Sequence, residues 1–289
     1  MKISFSTLAC PSWKLDTVLE VARNEKFDGV ELRFIENDDQ LWSRAEFTGS
    51  GLRETKRKLN EFELEIPCLD TSCFFHDPEQ ATRQAAIEQG KHMIELAARL
   101  GAPGIRVFGD SIQPGATREM TRRWVADSIA ELNREAKDLG VEVWLESHGD
   151  FASAQETMEI LQLAGNSNLG VVWDPVNAFA QGGEEPEAGM KILGNRIRHV
   201  HVKDAKRPCT DASLPGHVWD PVLMGEGDFP ATRLFSVLSS HGYQRYLSFE
   251  WEKRWHPEIP EPEIALPHFA KWVHRVLAGG DIHEHCAVP

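Results

Sequence analysis

Eight short apolar or β-branched runs divide this sequence, and helical patterns separate most of them. The runs are Ile3–Leu8, Gly29–Phe34, Glu65–Asp70, Gly104–Phe108, Val141–Glu146, Leu169–Asp174, Ile197–Val202 and Tyr246–Trp251. Their starts lie roughly 25–50 residues apart, the rhythm of repeated strand–helix units and a parallel sheet. Between them, Leu15, Val18, Leu19 and Ala22 make an apolar stripe at helical spacing. Asp77-Pro78 predicts an N-cap and first-turn proline, with Gly101 past the end of that helix. Thr117 to Leu139 predicts a third helix, closed by Gly140. Ser153 and Glu156 read as a capping box. Ile264 to Leu277 predicts the last helix, with Pro267 near its start, after a loop at His256–Glu263. The pattern predicts an α/β fold, a single (β/α)8 barrel over residues 1–278, followed by a C-terminal tail at 279–289. The chain's 289 residues suit one such barrel. A doubly wound open sheet is the rival, but neither GxGxxG nor GxxxxGK[ST] occurs.

Charge and cysteine usage narrow the partners. Lys and Arg number 31 against 45 Asp and Glu, a formal net charge of −14. That disfavours nucleic acid and anionic membrane surfaces. No apolar run approaches the ~20 residues of a membrane span, and Met1 leads into a strand-like segment rather than a signal peptide. The five cysteines, Cys10, Cys68, Cys73, Cys209 and Cys286, include no CxxC spacing. They read as reduced thiols, so a cytoplasmic protein with a small-molecule partner is expected.

In a parallel barrel the active site lies at the C-terminal ends of the strands. Runs five to eight carry Glu146, Asp174, His201 and Glu250 at or one residue before their ends. Three carboxylates converging on one barrel mouth repel each other and, partly buried, would take up protons. A divalent cation removes that conflict. Three carboxylates and an imidazole suit Mn²⁺, Mg²⁺, Co²⁺ or Zn²⁺, with no thiolate to favour zinc. Mn²⁺ is the first expectation. The imidazole needs a partner for its other ring nitrogen, which the sequence does not reveal. Alternation along the strands puts Trp144 and Glu142 on the face of Glu146, His199 on that of His201, Glu31 with Arg33, and Arg106 with Phe108. Arg33 and Arg106 are candidates for binding substrate hydroxyls or an oxyanion, or for internal ion pairs. His199 reads as structural. His148, two residues past Glu146, is a candidate acid or base. Asn177 and Lys203 are candidate substrate contacts, and Trp13, Trp251 and Trp255 candidate pocket walls. His283 and His285 mimic ligand spacing but fall in the tail.

These residues carry a family resemblance. The segments S-T-L-A-C-P, F-D-G-V-E-L-R, H-V-H-V-K-D, G-E-G-D-F-P and L-S-F-E-W-E-K-R-W-H-P-E span nearly the whole chain. It resembles the sugar phosphate isomerase/epimerase superfamily with the xylose isomerase-like barrel, which holds ketose 3-epimerases, hydroxypyruvate isomerases and inosose and dehydroshikimate dehydratases. The resemblance implies a metal site at Glu146, Asp174, His201 and Glu250, with Glu146 and Glu250 as the acid/base pair. It implies proton transfer through a metal-stabilised enediolate on a small keto-sugar or polyol, and it leaves a homo-oligomer open. One departure weakens an epimerase assignment: Asn177 stands where the epimerases carry a histidine. The E-S-H segment with His148 resembles dehydratase-like and C-glycoside-cleaving branches, so a metal-dependent lyase is the alternative. A non-catalytic sugar-binding barrel is the third reading. The superfamily's apurinic-site endonucleases carry further zinc ligands where this chain has Trp219, Pro221 and Asn177, which argues against DNA repair.

Overall fold

The computed structural model describes residues 1–165, 169–207 and 219–279. Eight parallel strands form one sheet: β1 (Lys2–Ser6), β2 (Gly29–Glu31), β3 (Leu69–Phe74), β4 (Gly104–Phe108), β5 (Glu142–Glu146), β6 (Gly170–Trp173), β7 (Ile197–Val202) and, last in the chain, β10 (Tyr246–Phe249). The order is β2-β1-β10-β7-β6-β5-β4-β3. Parallel bridges Gly29–Glu65 and Leu32–Leu69 join the two edges, so the sheet closes into a barrel. The remaining strands, β8 (Asp204–Lys206) and β9 (Asp220–Val222), form an antiparallel pair beyond the end of β7.

The third strand differs from the sequence expectation of Glu65–Asp70. Pro67 has no N–H to offer a neighbouring strand, so regular pairing with β4 begins beyond it, at Leu69. The strand runs on to Phe74, which brings Ser72 and Phe74 to the barrel mouth.

Helices pack around the sheet: α1 (Leu15–Asn24), α2 (Gly49–Phe62), α3 (Gln80–Leu100), α4 (Arg118–Asp138), α5 (Ala154–Leu163), α6 (Pro175–Gly182), α7 (Pro186–Leu193), α8 (Ala231–Ser240) and α9 (Pro262–Leu277). The expected stripe Leu15, Val18, Leu19 and Ala22 is the buried face of α1. Thr117 caps α4 by accepting from the Met120 N–H, and Ser153 caps α5 by accepting from the Glu156 N–H. The capping box is only half made, because the Glu156 carboxylate is taken by Arg118 and Arg122. Asp77 does not cap α3 directly. Its Oδ1 accepts from the Glu79 N–H, and Glu79 is the N-cap. Pro262, not Pro267, occupies the first turn of α9; Pro267 lies inside it.

The main apolar core lies between sheet and helices, and a small separate cluster of Cys68, Trp144 and Val172 fills the barrel interior. Trp144 governs that interior. Its Nε1 donates to Glu142 Oε2 at 2.8 Å, and its ring lies over Gly104 and Gly170 on the flanking strands. A Cβ at Gly104 would stand 2.4 Å from the indole. A ring wedged in a barrel cannot step aside, so Gly104→Ala should destabilise by about 1–3 kcal/mol. At ~2–4 °C per kcal/mol this lowers the thermal midpoint by about 2–12 °C, which calorimetry would read. An unchanged midpoint would show that the indole can move.

Cys10, Cys68 and Cys73 are buried free thiols. Cys209 and Cys286, His283 and His285, and residues 280–289 of the expected tail lie outside the described residues. Among the described residues, no helix is long and apolar enough to cross a membrane.

Candidate metal centre

The ends of the last four barrel strands converge. Ligand-type atoms of Glu146, Asp174, His201 and Glu250 all lie within 4.8 Å of one another, and all four residues are buried. Local sequence explains how each is presented. Glu146 is the last residue of β5. Next to it, Ser147 stitches β5 to β6, its hydroxyl accepting from the Asp174 N–H at 2.8 Å. Asp174 opens α6 as its N-cap, with Pro175 in the first turn. Its Oδ1 takes the N–H groups of Val176 and Asn177, leaving Oδ2 to face the cluster. Glu250 follows β10 directly, its N–H bonded to the Val202 carbonyl.

His201 sits at the centre. Its Nδ1 lies 3.3 Å from Glu146 Oε1 and 3.3 Å from Glu250 Oε1, yet makes no hydrogen bond. Its Nε2 faces Glu31 Oε1 at 3.0 Å. Glu31 is thus the partner that the sequence did not reveal, and its other oxygen meets His199 Nε2. The His199 ring stacks on Trp144, so the cluster is anchored on the barrel floor. Glu31, at the end of β2, is completely buried. Burial opposes its ionisation, but the His201 and His199 charges outweigh that and hold it well below the ordinary carboxylate value.

Cationic side chains surround the acids. Arg106 Nε lies 3.2 Å from Glu146 Oε2 and 3.3 Å from Asp70 Oδ1. Lys203 Nζ lies 2.8 Å from Asp174 Oδ2, 2.8 Å from Glu250 Oε2 and 2.5 Å from Glu252 Oε1. Burial works to raise Glu146, but Arg106 and His201 bring it below its usual value. Burial likewise works against Glu250, and His201 and Lys203 hold it well down. For Asp174 burial wins and pushes it up to about 6, against the pull of Lys203.

The donor set fits a divalent cation. The buried Nδ1 of His201 lacks a hydrogen bond, and Asp174 Oδ2, whose close partner is the Lys203 ammonium, lies within reach of the same point. Two further carboxylate oxygens stand beside them, and the second imidazole nitrogen is held by a carboxylate, the usual support of a metal-bound histidine. One nitrogen and three oxygens without sulfur suit the harder divalent ions.

A cavity of about 290 Å³ opens above this cluster. Glu146, Glu250, Arg33, Arg106 and His148 line it, together with residues that strand-end reasoning passed over: Ser72, Phe74, Asp110 and Glu252. The rule that strand ends carry chemistry would have found Ser72, had the third strand been read to its end at Phe74; Asp110 lies two residues past the end of β4, which the sequence placed correctly at Phe108. Arg33 is buried. Its Nη2 donates to Ser72 at 2.8 Å, while Nη1 has no hydrogen bond and lies 3.7 Å from Asp39. Burial and the neighbouring Arg106 charge lower Arg33 to about 10, so it stays charged at neutral pH. His148 Nδ1 lies 2.9 Å from Asp110 Oδ1. Asp110 reaches it from a left-handed backbone conformation, φ 59°, which Asp tolerates better than most residues.

Other candidates stand elsewhere. Asn177 donates its side-chain amide to the Ser147 carbonyl at 3.2 Å and is not among the residues lining the cavity. Lys203 meets the acids from beside the cavity rather than lining it. Trp251 is buried and donates to the Pro260 carbonyl, and Trp13 packs against the core; Trp255 lines the cavity. The G-E-G segment serves architecture. Asp204 Oδ2 accepts from the Gly225 and Gly227 N–H groups at 2.9 Å each, and a Cβ at Gly227 would collide with Asp204 Oδ1.

Comparison with known proteins agrees with this architecture. Over 230 residues the chain is 24% identical to an inosose dehydratase of Clostridium perfringens, covering 73% of this chain and 75% of that protein. The fold is similar to the crystal structure of an IOLI protein with a bound zinc atom. The TM-score there is 0.79 at 20% identity, over 97% of this chain and 99% of that one. It is also similar to the probable 3-DHS dehydratase AsbF of Bacillus anthracis, with a TM-score of 0.76 at 18% identity, over 95% and 99% of the two chains. A barrel closed from eight parallel strands, with its acidic cluster at their C-terminal ends, matches the model of one family over residues 19–272, and the chain belongs to that family, the xylose isomerase-like TIM barrels.

Proposed function

We propose that this protein is a divalent-metal-dependent enzyme that moves a carbon-bound proton on a small keto-sugar or keto-polyol, as an isomerase or epimerase. The observation that carries this reading is the pair of carboxylates, Glu146 and Glu250, each 3.3 Å from His201 Nδ1 and both lining one cavity. Glu146, Asp174, His201 and Glu250 would hold the cation, Mn²⁺ first, with Mg²⁺, Co²⁺ or Zn²⁺ as alternatives. Bound there, the cation would polarise the substrate carbonyl and acidify the carbon beside it.

The chain's own residues supply the proton path. One glutamate takes the proton from the substrate carbon, and the other returns a proton from the opposite side. Arg106 beside Glu146 and Lys203 beside Glu250 keep both carboxylates ionised in a buried site. Arg33 lines the cavity, and its Nη1, which has no hydrogen bond and stands 3.7 Å from Asp39, would donate to a substrate oxygen. Asn177, through the Ser147 carbonyl, positions the end of β5.

A lyase is the second reading, and a specific observation favours it. His148 lines the cavity with its Nδ1 on Asp110, a third proton carrier that an epimerase does not require. It would protonate a leaving hydroxyl or other β-substituent. The dehydratase name of the curated relative points the same way. Proton NMR in D₂O with Mn²⁺-loaded protein separates the two, across a panel of ketoses and keto-inositols. Deuterium appearing at the carbon next to the carbonyl, with no substituent lost, is the expected result. Irreversible loss of water with formation of an enone gives the lyase. Neither change with any member of the panel counts against a keto-sugar or keto-polyol substrate.

A further inference from the structure

The loops that follow β4 and β5 are tied together beside the cavity, and Asp110 is the point of the tie. It stands in the left-handed backbone region, φ 59°. Asp150 holds it there. The Asp150 N–H donates to the Asp110 carbonyl at 2.8 Å, and Asp150 Oδ2 accepts from the Ile112 N–H at 2.7 Å. Arg118 Nη1 donates to the Asp150 carbonyl at 2.7 Å and fixes Asp150 in turn. Gly149, φ 55°, passes so close that a Cβ on it would stand 2.3 Å from the Asp110 carbonyl oxygen. A non-glycine residue keeps such a backbone only where its surroundings over-determine it, and residues of this kind cluster at functional sites.

What the tie delivers is a carboxylate against a histidine. Asp110 Oδ1 lies 2.9 Å from His148 Nδ1, and Asp110 Oδ2 accepts from the Ser111 hydroxyl at 3.4 Å. His148 holds Asp110 below the ordinary carboxylate value, so at neutral pH Asp110 is an anion that can only accept. Two bare lone pairs would repel at that distance, so in the neutral ring the proton sits on Nδ1. Nδ1 is closed to solvent, yet the side chain is 39% exposed and lines the cavity. The open part of the ring is therefore the edge away from Nδ1, which carries Nε2. Phe108 flanks the imidazole, with ring centroids 5.3 Å apart.

We propose that Asp110 is a positioning residue: it fixes His148 as the Nδ1–H tautomer and turns the Nε2 lone pair towards the substrate. Held in this way, His148 meets the cavity as a hydrogen-bond acceptor and proton carrier. An imidazole with no such partner favours the proton on Nε2 and would present a donor instead. The proposal deepens the lyase reading, on which only the use made of Nε2 rests. The tautomer follows from the geometry of the two loops.

Long-range ¹H–¹⁵N correlation spectra of histidine-labelled protein test it. Mg²⁺, which is diamagnetic, is the loaded metal, and the pH is raised until the His148 signals are those of a neutral ring. A His148→Gln spectrum identifies those signals among the chain's twelve histidines. The Nδ1–H tautomer is expected in the parent protein. Asp110→Gly removes the carboxylate and suits the left-handed backbone, and there the population should pass to Nε2–H. Asp110→Asn keeps the shape of the side chain and guards against a collapsed loop; its amide offers either an acceptor or a donor, so a mixture is expected. An Nε2–H tautomer in the parent, or an Nδ1–H tautomer unchanged in both variants, would overturn the proposal. Kinetics separate it from the lyase reading. With a keto-inositol that the parent dehydrates, Asp110→Gly should lower kcat about 10²-fold with little change in KM, and full kcat would remove the positioning role. A parent that dehydrates no keto-inositol counts against the lyase reading alone, and the spectra then judge Asp110 by themselves.

Discussion

Glu146→Gln and Glu250→Gln are each expected to lower kcat by about 10²–10⁴-fold, the usual contribution of a positioned acid or base. Glutamine keeps the shape of the side chain and removes its charge and its capacity to accept a proton. Both residues also belong to the proposed cation-binding set, so kcat must be compared at saturating Mn²⁺, with Mn²⁺ affinity measured alongside. The double variant should lose little more than the worse single one, because the pair acts as a unit. Exchange in D₂O adds a finer readout. If the two carboxylates serve opposite faces of the substrate, one single variant should still wash deuterium into the substrate while failing to convert it. Full kcat in either variant at saturating metal would remove that residue from the proton path.

Glu31→Ala is the second large effect, and it acts one step back from the chemistry. Glu31 holds His201 Nε2 at 3.0 Å and also meets His199, with all three residues nearly inaccessible to solvent. Removing one partner of a buried charged network typically costs about 3–5 kcal/mol, because the groups left behind can find neither water nor a counter-charge. The same change frees the His201 ring to rotate and should weaken Mn²⁺ binding about 10–100-fold. Urea unfolding and calorimetric titration read the two effects independently. Lys2→Ala, which breaks an exposed pair of 2.6 Å with Glu65, is the control, expected to cost no more than about 1 kcal/mol. If Glu31→Ala behaves like Lys2→Ala, the floor of the site does not depend on this bridge.

The contrast between these two pairs also explains what could be read in advance. Glu146, Asp174, His201 and Glu250 were legible because each stands at or next to the end of an apolar run, and the end of a run is a local property. Glu31 also ends a short strand, but its neighbours in sequence, Val30 and Leu32, say nothing of two histidines 168 and 170 residues away. Arg33 and Arg106 could be placed at the mouth but not assigned. Ion pairing and substrate binding require the same residue type, and only distances tell them apart. Those distances set Arg106 Nε 3.2 Å from Glu146 and 3.3 Å from Asp70, whereas Arg33 Nη1 stands 3.7 Å from its acid, Asp39. Ser72 and Phe74 were missed for a different reason. The third strand continues past its apolar run, through polar Thr71 and Ser72 to Phe74, and polar residues do not extend an apolar pattern.

The eightfold alternation of strand and helix, the helix ends at Thr117, Ser153 and Gly101, and the four strand-terminal ligand-type residues were determined by the sequence itself, because hydrophobic period and capping are written in neighbouring residues. The closure of β2 against β3, the Glu31 bridge beneath His201 and the room that Gly104 and Gly170 leave for Trp144 were decided only by the tertiary structure. Each of these depends on which strands a closed parallel barrel sets side by side, and that is a property of the whole ring rather than of any one segment.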